Sequence, residues 1–252
     1  MSAGMNDIQF HTMPDGIRQI AFRFTPGAGP TLVFLPGYMS DMAGGKACAV
    51  FDWAKANGRA CLLLDYSGCG ESSGDFADGT LSRWVDEVRA LITVLALGGV
   101  VLIGSSMGGW LMLLVALVIR AQVKGLIGLA AAPDFTEWGY PDDVKAQLAA
   151  GETIFEANPY GPQPTPTHAG FWADGQRALL LGGEIPLTCP VRLIHGQCDP
   201  DVPWEHSLRL AAALRSADVQ VHLIKDGDHR LSRPADIALI LRSVAALIQT
   251  GD

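Results

Sequence analysis

Short apolar runs bounded by Gly, Pro and Asp alternate along this chain with longer stretches whose apolar positions recur every three or four residues. The first pattern is that of buried β-strands, the second that of helices packed by one face. Their alternation predicts a mostly parallel central sheet with helices on both faces, an α/β architecture. Strands are expected at 17–24, 31–35, 60–64, 99–103, 123–129, 191–194 and 221–224. The first reads as antiparallel, ahead of a turn at Pro26-Gly27, and Pro36-Gly37 ends the second. Helices are expected at 43–57, 81–97, 110–117, from about Pro203 onward and at 234–248. Gly58 stands where a C-terminal cap belongs. Ser82 is available as an N-cap if the second helix starts a turn later.

One segment breaks the rhythm. Residues 133–188 carry Pro141, Pro159, Pro162, Pro164, Pro166 and Pro186, with Trp138, Tyr140, Tyr160, Phe171 and Trp172 between them. A structureless loop of that length is improbable in a compact domain, so the segment is expected to be a small helical lid inserted into a core of residues 1–132 and 189–252. It lies between two core strands, near the strand C-terminal ends where α/β sheets place ligands. Its aromatics are either the lid's own small core or substrate contacts.

The chain has 252 residues, 49% hydrophobic and 17% charged, with a formal charge of −8. Those values describe a globular chain and argue against nucleic acid or anionic membrane as partners. The longest apolar run, 111–119, is too short to span a bilayer, and residues 1–20 lack the pattern of a secretory signal. Cys48, Cys61, Cys69, Cys189 and Cys198 form no C-x-x-C pair, so reduced thiols in a cytoplasmic protein are expected. Cys61 and Cys189 border apolar strands and read as small core residues; Cys198, beside Asp199, lacks the paired base of a nucleophile.

The chemistry concentrates at Gly104-Ser105-Ser106-Met107-Gly108, which follows the run 99–103 and opens onto Trp110-Leu111-Met112-Leu113-Leu114-Val115-Ala116-Leu117. Strand, sharp turn and helix around G-x-S-x-G are the setting of a nucleophile elbow. Alone, the pentapeptide would be weak, and its serines would read as helix caps. Ser105 occupies the variable position, so Ser106 is the expected nucleophile.

A serine hydroxyl needs a base to take its proton. His229, in Asp226-Gly227-Asp228-His229 just after the strand 221–224, is the expected one. His11 is near the N-terminus, His168 in the lid segment, His206 in a helix, and His195 and His222 in strands; His195 is expected to make structural hydrogen bonds. The carboxylate that orients the base is expected to be Asp199, which follows the strand 191–194 closely. Asp201 competes but suits the cap of the helix near Pro203, and Asp228 is adjacent to the base, where side chains diverge. The Ser, Asp, His chain order agrees. Two backbone donors should stabilise an oxyanion: the N–H of Met107 and that of Tyr38, with Met39 second. No metal-ligand spacing, dinucleotide fingerprint or P-loop is present, so no metal and no cofactor are expected.

Leu35-Pro36-Gly37-Tyr38, Leu64-Asp65-Tyr66-Ser67-Gly68-Cys69-Gly70-Glu71-Ser72, the elbow, His195-Gly196-Gln197-Cys198-Asp199 and Asp228-His229 occur in the order of the α/β-hydrolase superfamily, which the chain resembles over essentially its whole length. Pro-Gly stands at positions 36 and 37 where His-Gly is usual. Gly109-Trp110 after the elbow, with Asp65-Tyr66-Ser67-Gly68, is similar to a narrower group: the mitochondrial palmitoyl-protein thioesterases that also hydrolyse acyl glucuronides, and their bacterial relatives. Cys69 replaces the His of that group's S-G-H-G turn, a change expected to touch only local packing. The resemblance implies hydrolysis of esters or acyl thioesters of small-molecule substrates by Ser106, Asp199 and His229. The acidic sequence is read as a bacterial, cytosolic member without the mitochondrial location. An aminopeptidase or amidase on the same fold is the alternative, and a weakly catalytic ligand-binding receptor a more distant one. A dehalogenase would need a carboxylate at position 106.

Overall fold

The computed structural model describes residues 8–158 and 161–249. Pro159 and Tyr160, named above in the lid segment, lie outside the described residues. Ten strands occur among those described: β1 (Gln9–Thr12), β2 (Gln19–Thr25), β3 (Ala28–Leu35), β4 (Arg59–Leu64), β5 (Val100–Ser105), β6 (Val123–Leu129), β7 (Ile154–Glu156), β8 (Thr165–Thr167), β9 (Val191–Gly196) and β10 (Val219–Ile224). Eight of them form one sheet in the order β1-β2-β4-β3-β5-β6-β9-β10. The pairs β1/β2 and β2/β4 are antiparallel and all others parallel. The antiparallel reading of β2 therefore holds. The edge strand β1 has no counterpart in the expected elements, because its four residues are mostly exposed and carry no run of apolar positions.

Helices α1 (Gly45–Ala56), α2 (Leu81–Val94), α3 (Met107–Val118), α4 (Phe135–Trp138), α5 (Asp142–Ala149), α6 (Ala169–Arg177), α7 (Glu205–Ala213) and α8 (Pro234–Gln249) complete the fold. Side chains of central strands alternate between two cores, as a period of two requires. Val33, Leu35, Leu62, Leu64, Val100 and Leu102 face α2, α3 and α7. Leu32, Phe34, Cys61, Leu63, Val101 and Ile103 face α1 and α8. Helix α3 is covered on nearly all sides, which explains why its sequence is apolar without an evident polar face.

Two capping expectations need correction. The cap of α2 is Thr80, whose hydroxyl accepts from the Arg83 N–H. Ser82 sits inside the helix, and its hydroxyl and N–H both donate to Asp174 of α6. Helix α7 begins at Glu205 behind Trp204, with no side-chain cap, so Asp201 does not cap it. Of the two cysteines expected in the core, Cys61 is buried and Cys189 is only partly so.

Residues 133–188 fold into α4, α5, the antiparallel hairpin β7–β8 and α6. The hairpin was not foreseen, since Pro166 in β8 reads as a strand breaker. Asp134 holds the two ends of the segment together by accepting from the N–H groups of Leu180 and Leu181 at 2.8 and 2.7 Å. Trp110 of α3 donates to the Ala178 carbonyl at 3.2 Å. Phe171 is buried, with its ring 4.9 Å from that of Tyr38 and 5.7 Å from those of Trp84 and Phe135. Trp172 donates to the Thr136 carbonyl, whereas Trp138 and Tyr140 line a cavity against the core. Phe171 and Trp172 thus fit the reading as a small core, while Trp138 and Tyr140 border the cavity. Among the described residues, no helix is long and apolar enough to cross a membrane.

Candidate active site

Strand β5 turns into α3 at Ser106, which adopts φ 55° and ψ −121°, a conformation that L-residues rarely occupy. The turn is tight enough that a Cβ at Gly104 would meet the Gly108 carbonyl, and a Cβ at Gly108 would meet the carbonyls of Leu35 and Pro36. Those two glycines are sterically required. The Ser106 carbonyl accepts from the N–H groups of Gly109 and Ala132, and its N–H donates to the Leu129 carbonyl, so the strained residue is held at three points.

The loops after β9 and β10 bring the expected partners to it. His229 Nε2 lies 3.1 Å from Ser106 Oγ, and His229 Nδ1 lies 2.8 Å from Asp199 Oδ2. Ser105 is buried at the end of β5 and makes no such contact. Asp199 Oδ1 accepts from the N–H groups of Asp201 and Val202 at 2.8 and 2.9 Å. Its side chain is fully buried. Burial alone would raise the Asp199 carboxyl, but the hydrogen bonds from His195 and His229 and from the Val202 N–H outweigh it and hold the group well below the usual carboxylate range. Asp201 is exposed. Ligand-type atoms of Asp199, Asp201 and His229 lie within 4.8 Å of one another, but the first and last already serve the chain of hydrogen bonds that ends on Ser106.

The loop after β3 passes in front of the elbow, and Tyr38, Met39 and Met107 line the cavity with Ser106 and His229. The D-x-x-G-x-G-x-S turn supports that loop from below. Asp65 accepts from the Met42 and Glu71 N–H groups at 2.6 and 2.8 Å, and the Tyr66 hydroxyl donates to the Pro36 carbonyl at 3.1 Å. Cys69 in this turn is buried, which pushes its thiol up to about 12. It packs as a neutral side chain, and Cys198 is exposed on its loop with its thiol against the Lys225 carbonyl.

Three features escaped the sequence reading. His195 contacts Asp199 Oδ2, the oxygen that His229 also reaches, at 3.2 Å. Lys46 of α1 donates to the Arg230 carbonyl, next to His229; burial, with the nearby Arg230 charge, pulls its amine down to about 8. Hairpin β7–β8 closes the outer wall, where the Tyr38 hydroxyl donates to the Pro166 carbonyl at 2.9 Å. The cavity, partly open to solvent, is about 620 Å³. Tyr38, Phe135, Trp138, Tyr140 and Met107 line it together with the polar Lys46, Glu156 and Asn158. Neither the Lys46 nor the Tyr38 contact has a local sequence signal, since their partners are 184 and 128 residues away.

The alpha/beta hydrolase family profile matches residues 32–238. The chain belongs to that family. It is 36% identical over 245 residues to human "Palmitoyl-protein thioesterase ABHD10, mitochondrial", covering 96% of this chain and 80% of that protein. The mouse protein of that name is 39% identical over 235 residues, covering 91% and 78%. Among solved structures, the mouse alpha/beta hydrolase domain-containing protein 10 superposes with a TM-score of 0.90 at 35% identity, covering 97% of this chain and 99% of that one. These relatives support hydrolase activity of the thioesterase kind, and they carry a mitochondrial name.

Proposed function

We propose that this hydrolase cleaves carboxylic esters or acyl thioesters through an acyl-enzyme on Ser106. The observation that carries the reading is the unbroken line of hydrogen bonds from Ser106 Oγ through His229 to buried Asp199. His229 takes the Ser106 proton as Oγ attacks the carbonyl, then gives it to the departing alcohol or thiol. Asp199 fixes the Nδ1–H tautomer and balances the imidazolium. The N–H groups of Met107 and Tyr38 face the developing oxyanion, and water attacks the acyl-enzyme in the second half. The relatives' name, palmitoyl-protein thioesterase, supports a fatty acyl thioester as substrate, as do the aromatic residues that line the cavity. All five cysteines are free, which suits the cytoplasmic setting expected from the sequence.

Residues 133–188 act as the lid over this site, and the Tyr38 hydroxyl straps the oxyanion loop to it. Tyr38→Phe is expected to keep the backbone donor and lose one hydrogen bond, about 1 kcal/mol of restraint. Its kcat for a short ester should stay within about threefold of wild type, while limited proteolysis between β7 and β8 accelerates. A large fall in kcat without faster proteolysis would refute the strap.

The substrate class is tested by presenting matched oxygen esters, thioesters and amides across a range of acyl lengths and trapping the acyl-enzyme by intact mass. Ester and thioester acyl groups should add to the protein. Cleavage of the amides alone would reassign it as an amidase.

A further inference from the structure

His195, one residue before the end of strand β9, has no exposed surface. Its Nε2 lies 3.2 Å from Asp199 Oδ2, the oxygen that His229 also reaches, and 3.0 Å from the carbonyl oxygen of Val202. Two acceptors face that nitrogen. A lone pair there would point at both oxygens, so Nε2 carries the proton and donates. Nδ1 lies 2.7 Å from the hydroxyl of Ser207, which is buried in α7. In a neutral ring so protonated, Nδ1 accepts from that hydroxyl, which can donate or accept and so braces the tautomer that the two acceptors at Nε2 select.

We propose that His195 is a positioning residue of the reaction: as the Nε2–H tautomer, braced by Ser207, it clamps the Asp199 Oδ2 that His229 also uses. The proposal rests on the triad assigned above. The backbone N–H groups of Asp201 and Val202 anchor only Oδ1, so without His195 the Oδ2 end would depend on His229 alone. The bond from His195 gives Oδ2 a second anchor. It matters most when His229 is protonated and turns toward the leaving group, because Oδ2 is then held independently of it. The N–H also draws negative charge from Oδ2 and moderates the basicity that Asp199 confers on His229. The titratable groups around the pair are Asp199, His229 and Asp201 in front and His206 on α7 behind; Lys46 acts on Asp199 from α1.

Two near-isosteric replacements separate this role from packing. In His195→Gln the amide nitrogen falls where Nε2 was and still donates to Asp199. In His195→Asn it falls where Nδ1 was, and Asp199 loses its donor. With kcat normalised to fluorophosphonate-titrated sites, His195→Asn is expected to lose about 10- to 100-fold in kcat, the worth of one charge-assisted hydrogen bond. Its acidic limb should move to higher pH, and KM should hold because His195 does not line the cavity. His195→Gln should retain kcat within about threefold and keep the wild-type limb. Ser207→Ala, which leaves the ring in place, should show a smaller fall in the same direction. Equal losses in His195→Gln and His195→Asn with an unmoved limb would overturn the proposal, leaving His195 a packing residue. Ser106→Ala is measured alongside: if it retains turnover, the triad assignment itself is wrong, and the clamp falls with it for that separate reason.

Discussion

Ser106→Ala is expected to lower kcat for a p-nitrophenyl ester or an acyl thioester about 10⁴-fold or more, with a melting temperature within a few degrees of wild type. The effect is large because the hydroxyl is the atom that forms the covalent bond, and no second hydroxyl is bonded to His229 among the described residues. It is also specific to the chemistry. The fold at this point is maintained by the backbone bonds of residue 106 to Leu129, Gly109 and Ala132, all of which alanine keeps. Alanine has the same difficulty as serine with φ 55°, so the strain does not change. What remains in the variant is the pocket and the backbone donors, which still bind substrate and stabilise charge on attack by water. A fluorophosphonate should add to the wild-type protein and not to the variant. Near-wild-type turnover by Ser106→Ala would remove the nucleophile. Failure of folded wild type to label would point instead to a receptor that keeps the fold without the reaction.

The elbow was legible because its constraints act on neighbours in sequence. A strand must end, glycine must stand two positions before and after the nucleophile, and a helix must begin; each leaves a residue type at a fixed offset. His229 and Asp199 were legible for a related reason: parallel strands deliver their following loops to the same edge of the sheet, so a polar residue just past an apolar run is placed by topology. β6 matches its apolar run residue for residue, while β9 continues through His195 and Gly196, where hydropathy no longer signals a strand. The short outer pieces were less readable. Strand β1 lies at an exposed edge, and hairpin β7–β8 is three residues on each side with proline in one of them. Their stability comes from pairing partners, which no local pattern encodes. His195 was read as a structural strand residue, which its bond to Ser207 bears out, yet its reach to Asp199 depends on how the 196–202 loop folds back. The Lys46 bond to the Arg230 carbonyl depends wholly on the packing of α1 against the final loop.

That same folding back of the 196–202 loop decides which aspartate matters, and it makes Asp199→Asn the second large effect. Four donors converge on the Asp199 carboxylate: the Asp201 and Val202 N–H groups on Oδ1, and the two imidazoles on Oδ2. An asparagine has one acceptor oxygen. If that oxygen keeps the backbone pair, an amide NH₂ faces both histidines, and His229 is driven to the tautomer whose Nε2 already carries a proton and cannot accept one from Ser106. If the amide turns over, NH₂ faces two backbone N–H groups, and the loop that carries the residue is pushed away. Either way the base is lost or displaced, and kcat should fall about 10⁴-fold, as expected when the orienting carboxylate of a serine triad becomes an amide. Asp201→Asn is the matched control. Asp201 is exposed and contributes its backbone N–H to the site, which the substitution leaves intact, so kcat should stay within about threefold. Because its donors hold the native Asp199 well below the usual carboxylate range, this carboxylate should add no proton to the acidic limb of activity. A single proton should therefore account for the acidic limb of kcat/KM in wild type. A second proton in that limb, or equal losses in the two asparagine variants, would show that the carboxylate doing the orienting is not Asp199 alone.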